Sequence, residues 1–174
     1  MLIPGITQMY QNKMDLALKS YEKALSLRQH YPDCYFNLGT LFLKTNRRKL
    51  AKESFLKAIA QNSSHFPAYS NLVILLDEQG NFKEAEETAK AAITIFPGRS
   101  DFYFHLGNIY GKTNQYEKAE VNFKRAIELE PKPEYYANFG VLYHRWKKLE
   151  LAKEMYLKAP NHKSAQVNLK RLQG

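Results

Sequence analysis

An all-α solenoid of stacked helix pairs is the fold this sequence predicts, and three observations predict it. First, short amphipathic runs alternate with polar hinges. In Asp101–Pro131, Phe102, Leu106, Ile109 and Tyr110 recur at helical spacing, and Ala119, Phe123, Ala126, Ile127 and Leu129 do the same after the hinge Lys112-Thr-Asn-Gln. Second, this template repeats. Ala17, Ala51, Ala85, Ala119 and Ala152 fall 34, 34, 34 and 33 residues apart, and Ala24, Ala58, Ala92, Ala126 and Ala159 keep the same step. So do Tyr21, Phe55, Ala89, Phe123 and Tyr156. Third, small residues sit where paired helices cross. Gly39, Gly107 and Gly140 hold one such place, with Val73 the exception, and permit close approach of two helix axes.

These recurrences over five copies are those of the tetratricopeptide repeat, which the chain resembles over nearly its whole length. The resemblance implies an α–α superhelix of about four helix pairs plus a C-terminal capping helix. Its expected divisions are a truncated repeat at 1–31 with its second helix intact, repeats at 32–65, 66–99 and 100–132, a repeat at 133–162 with a shortened second helix, and a cap at 163–174.

Asp15–Leu27 reads as a second helix, whereas Pro4-Gly5 is expected to interrupt its partner, leaving a first helix short or absent and the Ala17/Tyr21 face partly uncovered. On that reading the chain is a fragment, a short isoform or a truncated gene product whose parent continues upstream. Pro32-Asp33 opens the next first helix, and Asn46-Arg47-Arg48-Lys49 is its hinge. Leu72, Ile74, Leu75 and Leu76 make the following first helix unusually apolar, Gln79-Gly80-Asn81 is its hinge, and Pro97-Gly98 closes the unit. In the last repeat Pro160 directly follows Ala159, whereas four residues separate Ala126 from Pro131. The second helix must therefore end a turn early, near Lys158. Lys163–Leu172 reads as a capping first helix with Lys170 and Arg171 near its negative end.

Net charge is +9, unevenly placed: residues 32–65 carry +4, residues 66–99 carry −2, and residues 133–174 carry +5. The lysines recur on polar helix sides without one basic stripe or a nucleic-acid motif, so a solvated surface is expected and no nucleic-acid partner. The single cysteine, Cys34, excludes an internal disulfide and a zinc cluster, and it reads as a helix-start spacer. No apolar run is long enough to span a membrane, and the opening residues do not form a signal peptide. His30, His65, His105, His144 and His162 fall in different repeats without metal-ligand spacing. No catalytic set, metal or cofactor is expected, and the chain reads as no enzyme by itself.

The candidate site lies on the first helices, whose outward stripe lines the concave side of such an array. Asn37, Asn71, His105, Asn138 and Asn168 hold equivalent places. A row of amides both donates to and accepts from a peptide backbone, similar to the asparagine ladder of the tetratricopeptide superhelix in the nuclear and cytoplasmic O-GlcNAc transferase. The competing reading is that these amides bond within their own repeats. Phe36 and Phe104 share a second concave position, as anchors for an extended peptide or as inter-repeat packing. Lys44, Lys112 and Arg145 share a third, as a cationic rim or as solvated charge. Asn62-Ser63-Ser64 is an N-glycosylation sequon, usable only in a secretory compartment.

A narrower resemblance is carried by DCYFNLGTLF at 33–42, NLVILLDEQGNFKEAEE at 71–87, FYFHLGNIYGKTNQYEKAE at 102–120 and VLYHRWKKLELAK at 141–153. These runs resemble the carboxy-terminal repeats of the transmembrane and tetratricopeptide O-mannosyltransferases that act on cadherins, the TMTC family. That resemblance implies the lumenal repeat portion of an endoplasmic-reticulum membrane enzyme, binding or positioning a cadherin client or another partner there. The sugar site would lie in a membrane part outside this chain. The alternative is a free cytosolic scaffold holding an extended peptide.

Overall fold

The computed structural model describes the backbone of residues 4–173 and the side chains of residues 13–172. Among these residues there are ten α-helices and no strand. The chain divides into two units, Met1–Leu75 and Leu76–Gly174.

The first unit contains α1 (Pro4–Leu27), α2 (Pro32–Lys44), α3 (Arg48–Gln61) and most of α4 (Phe66–Glu78). Pro4 opens α1 instead of interrupting it. A proline in the first helical turn lacks only an N–H that has no intrahelical acceptor there. The break expected at Pro4-Gly5 is therefore absent: α1 is one helix of 24 residues, and residues 4–14 extend the helix that contains Asp15–Leu27. Ala17 and Tyr21 are half-buried, while Leu16 and Leu27 are exposed. Pro32 takes the same opening role in α2, with Asp33 in the first turn and Lys44 in the last, as the helix dipole favours. Gln61 ties the α1–α2 loop to α3, its Oε1 accepting from the Tyr31 N–H and its Nε2 donating to the Gln29 carbonyl, both at 2.8 Å. Cys34 is buried, with its thiol directed at the Tyr21 carbonyl at 3.6 Å, and burial pushes the thiol pKa up.

The second unit runs from the end of α4 through α5 (Phe82–Ile95), α6 (Ser100–Lys112), α7 (Tyr116–Leu129), α8 (Pro133–Arg145), α9 (Leu149–Leu157) and α10 (Lys163–Gln173). Each helix from α5 to α10 packs on the next, and α10 also reaches α8. Helix α9 has nine residues where α3, α5 and α7 have 14. Pro160 cannot continue the ladder.

Within a helix pair, a glycine on the first helix receives an aromatic ring from the second. A Cβ added at Gly39 would lie 2.5 Å from the Phe55 ring, at Gly107 3.0 Å from Phe123, and at Gly140 2.4 Å from Tyr156. The corresponding sequence positions of the remaining copy, Val73 in the first unit and Ala89 in the second, are each wholly buried. The intra-pair turns are equally regular. Asn46, Gly80, Asn114 and Lys147 occupy equivalent places and take φ values of 57°, 74°, 59° and 62°. That left-handed conformation reverses the chain in a very short turn.

Candidate functional site

In the second unit the first helices α6 and α8 present their polar stripes side by side. Helical spacing puts Asp101, His105, Asn108 and Lys112 on one face of α6, and Asn138, Val141 and Arg145 on one face of α8. Between them lies a cleft of about 220 Å³, lined by Gly107, Asn108, Gly111, Lys112, Asn138, Val141 and Arg145. The Asn138 amide donates to the Asn108 Oδ1 at 3.0 Å. Lys112 is held by Asp77 at 2.6 Å, and an Arg145 N–H donates to the Asn114 Oδ1 at 3.3 Å. Both cations remain exposed at the rim.

His105 is half-buried on the same stripe. Desolvation by burial lowers its pKa, outweighing the attraction of Asp101 and Asp77. Asp101 itself anchors a network at the seam between α6 and α8. It accepts from the Tyr135 hydroxyl at 3.0 Å and pairs with Lys132 at 3.1 Å. The Ser100 hydroxyl donates to Glu130 at 2.9 Å and lies 3.0 Å from the Tyr135 oxygen. Burial works to raise the Asp101 pKa, but the hydrogen bonds from Lys132 and Tyr135 bring it below the ordinary value.

The remaining candidate residues separate. Phe104 is 7% exposed, stacked on Tyr135 at 4.5 Å and set edge-on to Phe123 at 6.0 Å. Its ring fills the seam between repeats, in the geometry of the inter-repeat packing that was the second of its two readings. Phe36, in the first unit, is half-buried against Phe55 and His65. In that unit Asn37 and Lys44 are exposed and Asn71 is half-buried. Asn168 on α10 is half-buried beside the Tyr156 hydroxyl, whose pKa burial pushes up to about 12. Asn62 is exposed just past α3, its Oδ1 accepting the Ser64 N–H at 3.0 Å. Asn108 is the residue that sequence reasoning passed over. Its signal was its place three residues after His105, on the same helical face.

The second unit also carries a groove of about 570 Å³ between α7 and α9, floored by Tyr136, Phe139 and Tyr143. Its rim charges satisfy one another, Lys124 with Glu120 at 2.6 Å and Lys158 with Glu154 at 2.7 Å. Among the described residues no three His, Cys, Asp or Glu are grouped to hold a metal ion. No helix among them is long and apolar enough to cross a membrane.

Paired helices of fixed period, glycine-aromatic crossings and a polar first-helix stripe define an α-helical repeat array. Tetratricopeptide-repeat family models match residues 8–46, 36–100, 100–133 and 133–159. The chain is an array of tetratricopeptide repeats. No curated protein matches it. Among solved structures it is similar to MamA, with a TM-score of 0.77 and 20% identity over 98% of this chain and 99% of that one. It is also similar to YrrB, described as a TPR protein with an unusual peptide-binding site, with a TM-score of 0.75 and 24% identity over 93% and 86% of the two chains. A thermophilic TPR protein of Thermus thermophilus matches with a TM-score of 0.72 and 23% identity over 97% and 95%.

Proposed function

We propose that the chain is a non-catalytic protein-binding module whose second unit takes an extended peptide in the cleft between α6 and α8. The Asn108–Asn138 pair carries this reading. With one hydrogen bond made between the two amides, Asn108 keeps its N–H donors and Asn138 keeps its acceptor oxygen. A peptide bond offers one carbonyl and one N–H, the complement of that pair. Exchanging oxygen and nitrogen in both amides leaves the same complement. Such a pair reads backbone rather than side chains, and exposed Arg145, bonded among the described residues only to the neutral Asn114, adds a preference for acidic residues. The peptide-binding site ascribed to YrrB supports the reading.

The test is a display library of unstructured peptides panned against the intact chain, with affinities of the selected peptides measured by fluorescence anisotropy. Asn108→Ala with Asn138→Ala is expected to weaken every selected peptide by about tenfold or more, the effect of roughly 1.4 kcal/mol in lost hydrogen bonds. Unchanged affinities in a folded double variant would sink the cleft as the site.

The finer reading, the lumenal repeats of an endoplasmic-reticulum O-mannosyltransferase engaging a cadherin client, rests on the runs at 33–42, 71–87, 102–120 and 141–153. The exposed Asn62 sequon is compatible with that compartment, since its amide nitrogen is accessible while its oxygen is occupied by the Ser64 N–H. A glycan on Asn62 in cells, seen as a mobility shift abolished by Asn62→Gln, would support lumenal residence. An unmodified Asn62 would favour the cytosolic scaffold.

A further inference from the structure

We infer that the turn between α2 and α3 in the first unit is a docking edge for an anionic lipid surface. From Lys44 to Lys52 the chain carries Lys44, Arg47, Arg48, Lys49 and Lys52 and no acidic residue. Lys44, Arg47, Arg48 and Lys49 are all exposed. Lys44, Arg47 and Lys49 form no ion pair with any described residue, in contrast to Lys112 at the corresponding turn of the second unit, which Asp77 holds.

The charge also runs against the local field. The second helices α5, α7 and α9 each have an acid in the first turn, Glu84, Glu117 and Glu150, whereas α3 has none. Cations at a helix start face the positive end of its dipole. The dipole gives Arg47 and Lys49 no stabilisation there, whereas an external layer of negative charge would.

The shape and the apolar content select the kind of anion. The cations flank the short turn closed by left-handed Asn46 and so share one end of the α2–α3 pair, where a flat charged sheet can meet them together. Leu50, in the midst of the cations, is 41% exposed. An exposed aliphatic side chain between Lys49 and Lys52 in sequence fits the boundary between phosphate headgroups and acyl chains. The segment 44–52 has no aromatic ring on which a nucleic-acid base could stack.

The experiment is co-sedimentation of the full chain at low salt with vesicles of equimolar phosphatidylserine and phosphatidylcholine, against phosphatidylcholine alone. Binding is expected only to the anionic vesicles. The combined variant Lys44→Ser, Arg47→Ser, Lys49→Ser should lower partition by about 100-fold, at roughly fivefold per cation. A control removing three charges elsewhere, Lys83→Ser, Lys153→Ser, Lys163→Ser, should keep most of it, with circular dichroism confirming that both variants fold. No binding of the parent chain to anionic vesicles overturns the inference. So does equal loss in both variants, which would make net charge the cause. Binding of a single-stranded oligonucleotide in place of vesicles would assign the edge to nucleic acid. The result is independent of peptide binding, because Asn108 and Asn138 are untouched.

Discussion

His105 stands where the neighbouring repeat has Asn138, and its surroundings decide its charge. Burial depresses the imidazole pKa despite Asp101 and Asp77 nearby. A base with a depressed folded pKa contributes stability above its unfolded value, near 6.5, and loses it as pH falls through the folded value. The carboxylates held low by partners, Asp101, Glu86 and Glu120, lose theirs only in the more acidic carboxylate range. The urea midpoint of the parent chain should therefore fall between about pH 7 and pH 5, and His105→Asn should flatten that interval. An unchanged slope in the variant would mean that another group titrates. Glycine position matters as sharply. At Gly140 an added methyl meets the Tyr156 ring at 2.4 Å, whereas at Gly111 it meets only the end of the Leu142 side chain at 3.1 Å. Gly140→Ala should cost about 1–3 kcal/mol by overpacking, while Gly111→Ala should be near neutral because helix propensity offsets the crowding. Urea denaturation measures both.

Between elements, a three-residue latch recurs in the second unit. The Tyr110 hydroxyl on α6 donates to Glu86 on α5 at 2.9 Å, and Lys90 pairs with the same carboxylate at 2.6 Å. One repeat later the Tyr143 hydroxyl on α8 donates to Glu120 on α7 at 3.1 Å, and Lys124 pairs with it at 2.6 Å. Each latch joins the second helix of one repeat to the first helix of the next. Burial, reinforced by Glu120, raises the Tyr143 pKa well above the phenolic value, so the hydroxyl remains a donor through the neutral range. Tyr143→Phe keeps the buried ring and removes only the donor. A loss of about 1–2 kcal/mol is expected, with a coupling to Glu120→Gln of at least about 0.5 kcal/mol in a double-mutant cycle. A cycle that closes at zero would reduce the latch to a geometric coincidence. The hinges and paired helices were legible in the sequence because period and turn chemistry are local. The latch was not, since tyrosine, glutamate and lysine are ordinary on a polar helix face.

At the scale of the whole molecule, stability in a repeat array is a sum over neighbouring elements rather than the property of one core. The two units, Met1–Leu75 and Leu76–Gly174, each hold their own buried residues, Leu38, Phe55 and Leu72 in the first, Phe102, Phe123 and Tyr156 in the second. Damage should therefore stay local. In Gly140→Ala, amide exchange should quicken in α8 and α9 and remain slow in α2 and α3. Uniform acceleration along the chain would show one cooperative block instead.

What the sequence determined by itself was the repeat. A 34-residue period, alanines at two fixed places and recurring glycines and aromatics at others are enough to specify helix, turn and helix, since each feature acts within a few tens of residues. Even there it misjudged Pro4-Gly5, reading as a break what serves as a helix start. The candidate cleft was decided by tertiary structure. Helical spacing marks which residues share a face, but not which neighbouring helix covers that face. Packing against α8 placed Phe104 in a dry seam on Tyr135 and brought Asn108 to within 3.0 Å of Asn138 across an open cleft. Those two outcomes depend on how closely the helix axes approach and at what angle, quantities that no pattern along a single helix contains.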